Sequence, residues 1–108
     1  MVKQGDIIKL NLSPTSGHEQ SGYRPVVVVS NNFVISRTNV VYIAPITNTV
    51  RQFPLHVKLD NRTKTTGEIL CEQVKAVDLN VRQYTLIEHL PDDLLESVLT
   101  RIIGCFDG

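Results

Sequence analysis

Four consecutive valines, Val26 to Val29, directly behind Pro25 constrain this chain more than any other stretch. β-Branched side chains lose rotamer freedom in a helix and pack well on a pleated surface, so the run reads as a strand. It has no polar alternation and therefore no face for water, which means it needs partners above and below. Pro25 has no N–H to give to a ladder, which predicts that the strand begins there. In front of it stands His18-Glu19-Gln20-Ser21-Gly22-Tyr23-Arg24, a glycine-containing loop with a base, an acid, an amide and an arginine. Loops fixed on a rigid sheet are where polar chemistry is displayed, although the same composition also suits an ordinary polar hairpin loop.

Other strands follow, several of them from period-two alternation. Gly5–Leu12 alternates Ile8, Leu10 and Leu12 with Lys9 and Asn11, and Ser13-Pro14-Thr15-Ser16-Gly17 ends it with turn formers. Asn39–Ile46, Phe53–Leu59, Glu68–Val74 and Gln83–Glu88 give four more strands. Asn31–Thr38 reads as a long polar excursion, and Ala76–Leu79 as a short helical turn or loop. After Pro91-Asp92-Asp93, whose acids suit the positive end of a helix, apolar residues Leu94, Leu95, Val98, Leu99, Ile102 and Ile103 recur at helical spacing, with Gly104 as the stop. Several short strands and one terminal amphipathic helix predict a mainly β fold, a small antiparallel barrel or strongly bent sheet, with residues 1–108 as one domain. Such a sheet leaves edges that a second copy would cover, so a homodimer is expected.

Eleven basic and eleven acidic residues cancel, which argues against coating duplex DNA by charge alone and leaves room for a local basic cluster. That cluster is expected to gather Arg24, Arg37, Arg51, Arg62 and Lys64. Cys71 and Cys105 are too few and too far apart for a zinc site and read as buried or free thiols. No apolar run approaches the roughly 20 residues needed to cross a bilayer, and Met1–Asp6 has no apolar core of a signal peptide. A cytoplasmic protein with no membrane association is the expectation.

If the fold brings the start of the second strand beside the end of the third, Arg24 and Thr47 converge, with His18 and Glu19 above them. Such a group suits cleavage of RNA by its own 2′-hydroxyl. That reaction needs a base for the 2′-OH proton, a cation or donors for the phosphorane, and a proton for the leaving 5′ oxygen, with no metal or other cofactor. Arg24 has the planar fork that binds phosphate oxygens; Thr47 would donate to a non-bridging oxygen, and either Glu19 or His18 would be the base. Arg24 could instead be a surface ion-pair partner and Thr47 a strand-end cap. Asn31, Asn32, Arg37, Asn48, Arg51 and Gln52 fall in loops suited to reading unpaired bases and backbone. His56, on the polar face of its strand, and His89, beside the helix start, read as plain surface residues.

The residues Gly5-Asp6-Ile7, Ser13-Pro14-Thr15-Ser16-Gly17-His18-Glu19-Gln20, Gly22-Tyr23-Arg24-Pro25, Ala44-Pro45-Ile46-Thr47-Asn48, Thr65-Thr66-Gly67, Cys71-Glu72-Gln73-Val74 and Asp78-Leu79 stand in one order over nearly the whole chain. In this the chain resembles the MazF/PemK/Kid family of bacterial toxins. The resemblance implies an SH3-like antiparallel β-barrel with a C-terminal helix that forms a homodimer. It also implies a ribosome-independent, metal-independent endoribonuclease that cuts single-stranded RNA at a short sequence, leaving a 2′,3′-cyclic phosphate or 3′-phosphate and a 5′-hydroxyl. By the same resemblance Arg24, Thr47, Glu19 and His18 fall at catalytic positions, Glu72 and Gln73 join the RNA-binding set, and a cognate antitoxin is the partner, with operator DNA bound only through it. One departure stands out: the Kid branch carries an arginine and an aspartate where this chain has Leu70 and Glu72. A different class of function, a non-catalytic toxin of similar barrel that poisons a protein such as gyrase, would have no need of Arg24 and Thr47. A small binding barrel without activity is a third possibility.

Overall fold

The computed structural model describes residues 1–12, 23–49 and 53–107 and puts the valine run at the centre of the sheet. In order come β1 (Asp6–Asn11), β2 (Tyr23–Val28), α1 (Asn32–Thr38), β3 (Val40–Thr47), β4 (His56–Lys58), β5 (Glu68–Leu70), β6 (Lys75–Asp78), β7 (Tyr84–His89) and α2 (Asp92–Gly104). The strands pair antiparallel in the order β4-β5-β3-β2-β1-β7. The far side of β3 is shared, with β6 along Val40–Ile43 and β5 along Ile46 and Thr47. Two leaves therefore part at β3, and the expected barrel is an open antiparallel sheet with a C-terminal helix.

Burial on both faces of the valine run is what the structure shows. Val26, Val27 and Val28 are completely buried and Val29 nearly so. Val27 and Val29 join Ile7, Ala44, Ile46, Val57, Ile69 and, from α2, Val98 in one core; Val26 and Val28 join Ile8, Leu10, Val41, Ile43, Val77 and, from α1, Ile35 in the other. Alternation along each strand feeds the two cores in turn, and burying each such side chain stabilises the fold by about 1.5–3 kcal/mol.

The excursion at 31–38 is a helix, because asparagines close it at both ends. The Asn31 side chain accepts the Val34 N–H at 2.9 Å, and Asn39, at φ 62°, returns its own N–H to the Ile35 carbonyl. Residues 75–78 form β6 and not a helical turn, since Val77 is buried among exposed neighbours as it pairs along β3. β2 starts at Tyr23, ahead of the proline. β4 is shorter than its alternation suggests, because the His56 N–H turns back to the Phe53 carbonyl at 2.8 Å. β5 stops at Leu70, whose carbonyl accepts the Gln73 N–H at 3.0 Å. Gly104 is the last residue of α2 rather than a left-handed stop, which Cys105 follows in right-handed geometry.

The Gly5-Asp6 pair has a structural job where β1 meets β7. Asp6 is buried, accepts the Lys3 N–H at 2.9 Å and faces His89 Nδ1 at 3.1 Å. Gly5, at φ +93°, lies against that imidazole: a Cβ there would stand 2.7 Å from His89 Cε1. His89 is thus at the surface, as its place in the sequence suggests, but tied to a buried carboxylate at the end of β7.

Candidate active site at the end of the β2–β3 hairpin

β2 and β3 pair Val26 with Pro45, Val27 with Ala44 and Val28 with Ile43. Continuing that register by two residues sets Arg24 opposite Thr47. On its other side Thr47 pairs with Glu68, and Glu68 with Lys58. Partners in an antiparallel ladder share a face, so Arg24, Thr47, Glu68 and Lys58 form a polar row across four strands. A cleft of about 610 Å³, lined in part by Thr47, Asn48, Lys58, Thr66 and Glu68, opens there.

Arg24 is exposed and, among the described residues, makes no ion pair. Thr47 Oγ1 accepts the Thr49 N–H at 3.1 Å, which is the strand-end cap anticipated for it. A hydroxyl that accepts one bond still has its own proton to donate. Capping and donation to a ligand are therefore compatible in one side chain.

The Asp60–Gly67 connection shapes the cleft wall. Glu88 on β7 accepts the Lys64 N–H at 3.0 Å, the Thr65 N–H at 2.9 Å and the Thr65 hydroxyl at 2.8 Å. Thr66 donates to Asn48 Oδ1 at 3.0 Å. Gly67 lies at φ +119°, and a Cβ on it would fall 2.4 Å from the Thr47 carbonyl oxygen. Thr65-Thr66-Gly67 thus holds up Thr47 and Asn48 from behind.

Arg62 does not join a basic surface. Its guanidinium lies between Asp60 (2.8 Å) and Asp93 (2.8 Å), and the two carboxylates raise its pKa above the usual arginine value. Asn31 and Asn32 are likewise engaged locally, Asn32 Oδ1 taking the Gln4 N–H at 2.8 Å, while Arg37 lies over the Phe33 ring at 4.7 Å. All three belong to α1 or its cap, at the opposite end of the β2–β3 hairpin from Arg24 and Thr47. The four steps from Arg24 to Val28 span about 13 Å of strand. One RNA strand touching both groups would have to run along that length. His18, Glu19, Arg51 and Gln52 lie outside the described residues.

His56 is the residue that alternation misjudged. Its side chain points to the polar face of β4, yet it is only 7% exposed. Nδ1 stands 2.9 Å from Glu68 Oε1 and Nε2 3.1 Å from Glu72 Oε2. The hairpin register supplies the reason: His56 pairs with Leu70, so Glu68 and Glu72, two residues either side, flank the ring. Gln73 Nε2 also reaches Glu72 Oε2, at 3.5 Å. Burial pushes the Glu72 carboxyl up, but its own backbone N–H and His56 outweigh this and hold it below the usual glutamate value. Among the described residues no histidine, cysteine or carboxylate cluster is arranged to hold a metal ion.

An open antiparallel sheet with a terminal helix sets an arginine, without an ion-pair partner among the described residues, in register with a threonine that lines a polar cleft. The chain belongs to the family described as PemK-like, MazF-like toxin of type II toxin–antitoxin systems, which matches residues 3–106. It is 32% identical over 105 residues to the Endoribonuclease PemK of Escherichia coli, covering 94% of this chain and 79% of that protein. It is 33% identical over 103 residues to the Endoribonuclease EndoA of Bacillus subtilis, covering 91% and 88%. Among solved structures it resembles MazF in a MazE–MazF crystal structure from Deinococcus radiodurans, with a TM-score of 0.87 at 26% identity, covering 96% of this chain and 94% of that one.

Proposed function

We propose that this chain is a metal-independent, ribosome-independent endoribonuclease that cuts single-stranded RNA, chiefly mRNA, at a short sequence, and that a cognate antitoxin neutralises it. The observation that carries the reading is the polar row at the β2–β3 end. There an arginine without an ion-pair partner among the described residues faces a threonine that keeps a donor proton, in a family of toxins whose named relatives are endoribonucleases.

In the reaction the 2′-hydroxyl of the RNA attacks the adjacent phosphorus as a base removes its proton. The P–O5′ bond breaks, and the 5′ oxygen takes up a proton to leave as a hydroxyl. The product end is a 2′,3′-cyclic phosphate, which water can open to a 3′-phosphate. Arg24 compensates the extra negative charge on the phosphorane, and Thr47 donates to a non-bridging oxygen. Glu19 or His18 is the base. Fixed donors and cations aimed at developing charge are the largest catalytic contribution in reactions of this kind. Asn48, Glu72 and Gln73 beside the row, and Asn31, Asn32, Arg37, Arg51 and Gln52 further along, would contact the flanking nucleotides.

No helix of the described residues is long and apolar enough to cross a membrane; we place the protein in the cytoplasm with its RNA. Exposed apolar side chains at Val81, Leu86, Ile103 and Phe106 leave surface that pairing into a homodimer would remove from water. A protein-poisoning toxin of similar fold has no use for the Arg24–Thr47 pair, and the named endoribonuclease relatives favour the RNA-cutting reading.

The test is incubation of the purified protein with a long single-stranded RNA in EDTA, with Arg24→Ala and Thr47→Ala alongside and fragments mapped by 5′-end sequencing. Cuts at one short motif are expected from the wild type. Arg24→Ala should abolish them while the protein stays folded, and Thr47→Ala should weaken them without moving the cut site. Intact RNA with folded wild type, or near-normal turnover by Arg24→Ala, would refute the assignment.

A further inference from the structure

We propose that His56 is a positioning residue for RNA recognition, holding the Glu72 carboxylate as a fixed acceptor for an N–H edge of one unpaired base. The inference rests on the endoribonuclease reading and adds a specificity device to it. Three observations carry it. First, Glu68, the ladder partner of Thr47, also bonds His56, so the Glu68–His56–Glu72 chain starts at the polar row and leads away from it to Glu72. Second, exposure is low at Glu68 (12%) and at the His56 side chain (7%) and highest at the far end, 29% for Glu72. Glu72 is the most open of the three to a ligand. Third, the ring is closed in from the side by Phe53, edge-on with centroids 5.3 Å apart, so it has little room to swing.

The chemistry fits that geometry. An ionised carboxylate only accepts hydrogen bonds, so what it recognises on a base is an amino group or a ring N–H. The imidazole takes one oxygen of Glu72, and the carboxylate is thereby held in one orientation before RNA arrives. A floppy exposed glutamate would lose its rotamer freedom on binding; one already fixed does not, and the saving appears as discrimination between bases. A buried, doubly paired histidine contributes little to stability compared with apolar packing of the same volume. Holding Glu72 in place is the return such a group can give.

The experiment maps cut sites in a random single-stranded RNA pool for wild type, His56→Ala, His56→Gln, Glu72→Gln and the His56→Ala/Glu72→Gln double variant, each checked for folding by thermal melt. His56→Ala and Glu72→Gln should lose discrimination, by roughly fivefold, at one and the same nucleotide position. The double variant should be no worse there than Glu72→Gln alone, because the two residues act as a unit. His56→Gln keeps an N–H donor and should restore part of the preference; it also serves if His56→Ala fails to fold. A wild-type motif in folded His56→Ala or His56→Gln, a change at a different position from Glu72→Gln, or additive losses in the double variant overturns the inference while leaving the nuclease reading intact. Absence of cleavage by the wild type overturns both.

Discussion

Glu88 should be worth more to the fold than its place on an exposed edge strand suggests, and the structure gives a magnitude. Its carboxylate receives two part-buried bonds, from the Thr65 N–H and hydroxyl, and an exposed one from the Lys64 N–H. Counting about 1 kcal/mol net for each part-buried bond and little for the exposed one, Glu88→Ala costs about 2 kcal/mol. With about 0.23 kcal/mol/K of unfolding entropy for 108 residues, Tm falls by about 9 °C. The same bonds predict a pH signature. Burial pushes the Glu88 carboxyl up, but the N–H groups of Lys64 and Thr65 and the Thr65 hydroxyl outweigh it and leave the folded pKa below the usual value. A carboxylate of that kind stabilises fully above its unfolded pKa, about 4.3, and the contribution is lost as pH falls through the lower folded value. Thermal melts of wild type and Glu88→Ala should therefore differ by the full amount at neutral pH and converge on acidification. A gap near zero at pH 7, or one undiminished at about pH 3, would show that these bonds do not anchor the 60–67 connection.

Two further outcomes follow from the same neighbourhood. Gly67→Ala places a Cβ against the Thr47 carbonyl in a left-handed conformation, so it should destabilise by about 3 kcal/mol or more and lower RNA cleavage as Thr47 is displaced; melts and turnover of the variant check both. Burial pushes the Cys71 thiol up to about 11, while Cys105 is exposed. A thiol reagent at neutral pH should thus titrate Cys105 quickly, and Cys71 only on unfolding.

The sheet was legible wherever the side-chain pattern is a property of one strand. Val26–Val29 announced a strand buried on both faces, and Ile8 and Leu10 a half-alternating one, because burial of a central strand leaves no other composition. What the pattern could not show depends on partners distant in sequence. Asn31 and Asn39 look like loop residues until one asks which backbone N–H each could satisfy, and then they are the two caps of α1. The residues 75–78 form a strand only because β3 has a free side for them. Arg24 and Thr47 could be nominated from their chemistry, but their common face follows from a register that no local spacing fixes.

His56 makes the same point more sharply. Period-two alternation correctly puts it on the polar side of β4, and from there the step to a solvated surface residue looks safe. It fails because the opposite strand brings two carboxylates to that side, one on each ring nitrogen. Polar satisfaction also separates two kinds of residue elsewhere in the chain. Asp6, Thr65 and Glu88 have their polar atoms bound within the fold, and Gly5 and Gly67 are pressed against it; these are the pieces that hold β1 to β7 and the 60–67 connection beneath Thr47. Arg24 and Lys58 have no ion-pair partner among the described residues, and the Thr47 hydroxyl has a proton still to give. Arg24, Thr47 and Lys58 fall in one ladder row with the 60–67 connection behind Thr47, whereas the Gly5-Asp6 pair closes the far end of the sheet beside Val28.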